Sequence, residues 1–112
     1  MSDVLLIKQI LSQATSEIRI RVAMDGEQAL QVLADSDSDF KPTLIILDLN
    51  IPKIPGLVLL TRSKPSAPVV VFSSSSNPSE VHQALELGVR EFVQKPYDFQ
   101  EFANVVTKMI QD

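Results

Sequence analysis

Three side chains able to carry or move charge stand where apolar runs end. Asp48 follows Leu44-Ile45-Ile46-Leu47, Ser73 follows Val69-Val70-Val71-Phe72, and Lys95 follows Glu91-Phe92-Val93-Gln94. A carboxylate closing a buried run either caps a turn or takes part in a reaction. The three residues are too far apart in sequence to form a local motif, so joint chemistry requires a fold that gathers strand ends at one rim. Other candidates fall away on inspection. Asp35-Ser36-Asp37-Ser38-Asp39 begins like a calcium loop, but Phe40 stands where the turn needs glycine and Ile46 where a bidentate glutamate is needed. It reads as a solvated acidic loop. His82 lies between Val81 and Gln83 on the outward side of its helix, and with no second histidine it is a poor ligand. Ser75 and Ser76 extend a polar loop.

The elements needed to position the three strand ends alternate along the chain. Residues 4–14 place Val4, Ile7, Ile10, Leu11 and Ala14 on one helical face, with Ser2 or Asp3 as cap. Ile18-Arg19-Ile20-Arg21-Val22 alternates as a strand with one wet face. Asp25 and Gln28 have capping-box spacing at the start of a helix burying Ala29, Leu30 and Leu33. After the Leu44–Leu47 run, Gly56 to Lys64 predicts a short helix stopped by Pro65. Asn77-Pro78-Ser79-Glu80 opens another helix, which Gly88 closes after Leu87. Asp98 and Glu101 cap a last helix expected to bury Phe99, Phe102, Val106 and Met109. Such alternation predicts an α/β domain with a parallel sheet covered on both faces, whose site lies at the carboxyl ends of the strands.

Composition narrows the function classes. The 112 residues allow one domain, with 45% hydrophobic and 21% charged residues. Without cysteine there are no disulfides, thiolate zinc sites or thiol nucleophiles. The net charge of −4 argues against a nucleic-acid backbone as partner. No apolar run approaches a membrane span and no leader pattern opens the chain, so a cytoplasmic protein without membrane contact is expected.

Asp48-Leu49-Asn50-Ile51-Pro52-Lys53-Ile54-Pro55-Gly56, the strand-end Ser73, and Lys95-Pro96 before an amphipathic helix resemble the receiver domain of bacterial two-component response regulators. DLNIPK and SDVLLIKQIL are further similar to stand-alone receivers of phytochrome-type histidine kinases. The resemblance spans residues 1–112 as a single receiver domain. It implies a flavodoxin-like, doubly wound parallel sheet and a phosphorelay role without enzymatic activity. Asp48 would accept a phosphoryl group from a histidine kinase. Ser73, Ser74 and Lys95 would bind that group, and Phe92 would be the aromatic that changes rotamer with Ser73. Asp48 and the backbone carbonyl of Asn50 would hold Mg²⁺. An as yet unidentified downstream protein would read the fourth-helix, fifth-strand and fifth-helix face. Aspartate-nucleophile phosphatases resemble DxD at this point, and Asn50 breaks that pattern.

Two departures from the family qualify these expectations. A receiver opens with a central strand ending in an acidic pair, and here the chain begins at the threshold of the first helix, as though truncated at its N-terminus. The third helix is also a turn short. The thin donor set predicts weak or absent Mg²⁺ binding and poor phosphorylation. A phosphorylation-independent interaction module with the same fold is the alternative. Loss of the first strand predicts a four-stranded sheet, closed either by 18–23 sliding beside Leu44–Leu47 or by a second chain. The arginines of 18–23 favour the second chain, a homodimer.

Overall fold

Strand formation follows the apolar runs, and helix formation follows the capping residues. The computed structural model describes residues 3–14, 19–34, 42–51, 53–74 and 77–111. In chain order the elements are α1 (Asp3–Ala14), α2 (Gly26–Ala34), β1 (Ile45–Leu47), α3 (Gly56–Ser63), β2 (Val69–Ser73), α4 (Pro78–Glu86), β3 (Glu91–Gln94) and α5 (Phe99–Gln111). The predicted cap at Ser2, the acidic stretch 35–39, Ser75 and Ser76 lie outside the described residues.

Residues 23–95 form one compact unit. Its sheet is parallel with strand order β1-β2-β3. Leu47 pairs with Val71, Val71 with Phe92, and Ser73 with Gln94. The central strand β2 is buried along its whole length, as expected for an apolar run in a parallel sheet. Leu47, Leu49, Leu59, Leu60, Val69, Val71, Ala84 and Val89 make the core of this unit, and half-buried Ala29, Leu30 and Phe92 pack against it.

The capping signals are realised locally. Asp25 Oδ1 accepts the Gln28 N–H at 2.9 Å, while Gln28 Oε1 reaches back to the Met24 N–H at 2.8 Å, one residue beyond the usual reciprocal partner. Asn77 Oδ1 accepts from Ser79 N at 2.9 Å ahead of Pro78 in the first turn of α4. Gly88 takes a left-handed φ of 92°, which ends α4 where predicted.

The second unit comprises residues 1–22 and 96–112. Here α1 and α5 pack on one another. Their buried residues are Ile10 and Leu11 on α1, and Phe102, Val106 and Met109 on α5. Asp98 Oδ1 accepts from the N–H groups of Gln100 and Glu101, so the α5 cap is as read.

Two expectations are corrected. The strand expected over 18–22 is not formed by its described residues 19–22, so the sheet has three strands among the described residues and a fourth is not confirmed. Alternation specifies which side chains would face a core, but a strand also needs a paired edge. Phe99 is 61% exposed rather than buried with Phe102. It occupies the first position of α5, where helical spacing fixes the direction of a side chain and not how far the neighbouring surface extends along the axis.

Candidate functional site

The parallel register places the carboxyl ends of β1, β2 and β3 on one side of the sheet, and the polar residues follow directly. Asp48 comes immediately after β1, Ser73 closes β2, and Lys95 comes immediately after β3. The backbone joins the last two, since Lys95 N donates to Ser73 O at 2.8 Å. Lys95 Nζ then crosses to Asp48 Oδ2 at 2.7 Å. The lysine side chain is 12% exposed and the aspartate 33%, so the pair is partly shielded from water. Such shielding strengthens the attraction but also raises the cost of leaving either charge alone. The ammonium also lies 5.8 Å from the centroid of the Phe72 ring, within cation–π range.

The second oxygen of Asp48 is also engaged. Asp48 Oδ1 accepts the backbone N–H of Asn50 at 2.9 Å, a local turn that aims the carboxylate. The chain then returns, with Gly56 N donating to Leu49 O at 3.0 Å. Gly56 is required there, because a Cβ would stand 2.6 Å from Leu49 Cα. The sequence therefore places a carboxylate on a short tethered turn, with a lysine ammonium on one side of it.

Each predicted site residue can be located. Ser73 is fully buried at the end of β2, and Ser74 is exposed just beyond it, its carbonyl accepting from Gln94 Nε2 at 3.5 Å. Phe92 is half-buried in the middle of β3, packed on the core of its unit. Asn50 is exposed at the turn. His82 is exposed as expected and pairs with Glu86 at 3.0 Å one helical turn on.

Among the described residues the donors for a divalent metal fall short. Among the described residues no cluster of three or more His, Cys, Asp or Glu side chains could hold an ion. What remains is one carboxylate, already bonded at both oxygens, and the Asn50 carbonyl. Octahedral Mg²⁺ is poorly served by that set.

One neighbouring cluster escaped sequence reasoning. Lys53, on the same turn, reaches Asp25 Oδ2 at 3.6 Å and Glu27 Oε2 at 3.4 Å at the start of α2. The hydrogen bond to Glu27, followed by the charge of Asp25, holds the Lys53 ammonium above the ordinary lysine range. The Gln28 N–H, with Lys53 assisting against partial burial, holds Asp25 below the ordinary aspartate range. A pairing across this span leaves no local sequence signal; the only hint was the Pro-Lys-Ile-Pro-Gly composition of a tight turn.

The comparisons with known proteins agree with this geometry. Residues 3–107 match the response regulator receiver domain family. Among solved structures, the phosphorylated cyanobacterial phytochrome response regulator RcpA is similar at TM-score 0.87 and 27% identity, over 97% of this chain and 84% of its own. The Mn²⁺-bound form of response regulator Rcp1 is similar at TM-score 0.74 and 25% identity, over 93% of this chain and 84% of its own. The bacteriophytochrome response regulator RtBRR is 33% identical at TM-score 0.71, over 94% of this chain and 70% of its own. No curated protein matches.

Proposed function

The chain belongs to the response regulator receiver domain family, and from that premise we propose that it accepts a phosphoryl group on Asp48 from a histidine kinase and signals by protein–protein interaction. The observation that carries this reading is the 2.7 Å contact between Lys95 Nζ and Asp48 Oδ2. A nucleophilic carboxylate needs a fixed position and a cation beside the charge that develops on transfer. In the reaction a carboxylate oxygen bonds to phosphorus as the phosphorus–nitrogen bond to the donor imidazole breaks, and the imidazole keeps that electron pair. Lys95 then faces the new acyl phosphate. Ser73 and Ser74 supply hydroxyl groups to it, and Phe92 shifts with Ser73 to report its presence to a partner.

The donor set makes Mg²⁺ binding weak and phosphoryl acceptance slow. The same observation favours the second reading, a receiver-like interaction module that works without phosphorylation. Intact-mass measurement after incubation with acetyl phosphate, across a Mg²⁺ titration, separates the two. A slow gain of one phosphoryl group, absent in Asp48→Asn, is the expected result. No gain at any Mg²⁺ concentration leaves the interaction module. We further propose that a second copy of the chain pairs with the outer edge of β1, where no strand lies among the described residues.

A further inference from the structure

Lys53 occupies a backbone conformation that lysine rarely adopts. Its φ is 73°, in the left-handed region that favours glycine or asparagine. A residue of another type persists there when its surroundings over-determine it. The surroundings are the two carboxylates at the start of α2, Asp25 at 3.6 Å and Glu27 at 3.4 Å from Nζ. Asp25 serves twice, since its Oδ1 caps α2 through Gln28 N while its Oδ2 faces Lys53. Its side chain is 13% exposed and that of Lys53 55%, so only the carboxylate end of this pairing is partly shielded from solvent. Directly beside this pairing, the backbone of Gly26 abuts Ile54, where an added Cβ would stand 2.4 Å from Ile54 Cβ. The turn after β1 is thus pressed against α2 at Ile54 and held there by charge at Lys53.

We propose that Lys53 is a positioning residue, a latch that ties the turn carrying Asp48 and Asn50 to the first turn of α2 and so keeps the Asp48 carboxylate aimed. The positioning role rests on Asp48 being the phosphoacceptor; the latch itself does not. The turn between Asp48 and Gly56 is closed by two backbone donors, Asn50 N to Asp48 Oδ1 and Gly56 N to Leu49 O. Lys53 sits between those two tethers and supplies the only side-chain ion pairs from this turn to α2 among the described residues. Glycine at this position would accept the backbone conformation better than lysine does, so the side chain and not the backbone accounts for lysine here. Lys53 is shifted upward and Asp25 downward, so this pair is charged at neutral pH.

Lys53→Gly and Lys53→Arg in the full chain test the latch. Glycine keeps the left-handed turn and removes the charge; arginine keeps the charge. Amide hydrogen exchange at Asn50 and Gly56 is expected to quicken about two- to fivefold in Lys53→Gly, the size of an exposed or half-exposed pair, and to stay near wild type in Lys53→Arg. The thermal midpoint of Lys53→Gly should hold or rise, since the turn is relieved of backbone strain. The rate of phosphoryl acceptance from acetyl phosphate should fall by the same factor in Lys53→Gly and recover in Lys53→Arg. Unchanged exchange in Lys53→Gly overturns the latch, whatever the phosphorylation result. Faster exchange with an unchanged acceptance rate overturns the positioning role and leaves Asp48 as acceptor. A wild-type chain that takes no phosphoryl group overturns the Asp48 reading and the positioning role together, while exchange still decides the latch.

Discussion

At the scale of single residues, the balance at Asp48 is between attraction and desolvation. Its carboxylate is one-third exposed and its Lys95 partner nearly buried, so the pair stabilises the fold less than its 2.7 Å separation suggests. Removing one member costs more than the pair contributes, because the partly buried charge that remains loses this contact. Lys95→Met is therefore expected to destabilise by about 1–2 kcal/mol, discounted from the fully buried case for the solvent that reaches Asp48. Asp48→Leu combined with Lys95→Met should recover most of that loss, since neither charge remains to be desolvated. Urea denaturation of the two single variants and the double variant gives the coupling directly. Additive losses would show that the contact carries no coupling. A site that gives up stability to hold a charge in place is what the proposed phosphoacceptor role of Asp48 requires, and the double variant, stable but without Asp48, would show the trade.

At the scale of elements, the turn after β1 is where packing and chemistry meet. Gly26 and Gly56 each let backbone approach backbone closely, Gly26 against Ile54 and Gly56 against Leu49. A methyl group at Gly56 would meet Leu49 Cα and the Asp48 carbonyl, backbone atoms that cannot swing aside. Gly56→Ala is expected to cost about 1–3 kcal/mol and to displace the turn on which Asp48 stands. Loss of the Gly56 N to Leu49 O bond, seen as a shifted and rapidly exchanging Gly56-position amide, would accompany the drop in thermal midpoint. A variant of wild-type stability would mean that the turn relaxes freely. Much at this scale was legible in the sequence. The four-residue apolar runs marked β1 and β2, and Asp25, Asn77 and Asp98 each cap the helix they were expected to cap, because capping is a contact within a few residues. Arg19 to Val22 and Phe99 were misread for the converse reason. Strand pairing and burial depend on a distant surface, which local periodicity does not describe. The Lys53 contacts with Asp25 and Glu27 belong to the same class, long-range and set by a backbone turn that residue type disfavours. The rim of Asp48, Ser73 and Lys95 was legible only jointly, since each strand had to be placed before its end meant anything.

At the scale of the whole molecule, the sheet poses a question of closure. Its central strand is buried throughout, and β3 continues the ladder on one side. On the other side β1 offers three apolar residues, Ile45, Ile46 and Leu47, and no further strand beside them among the described residues. Strands of parallel sheets are normally flanked, and an unpaired edge of backbone donors and acceptors recruits another strand. A segment from an unrelated protein would have to match that short edge by chance, whereas a second copy matches it by symmetry. A two-fold axis through the edge would set β1 antiparallel to its copy and join two three-stranded sheets into one. Light scattering coupled to size-exclusion chromatography is expected to give twice the 12.4 kDa chain mass at high concentration, with dissociation on dilution. A constant 12.4 kDa across the concentration range would sink self-pairing. Repeating the measurement after acetyl phosphate treatment links this scale to the first. A dimer that forms through β1 should persist whether or not Asp48 is modified, because the edge residues precede the turn. A dimer that appears only after modification would place the contact elsewhere.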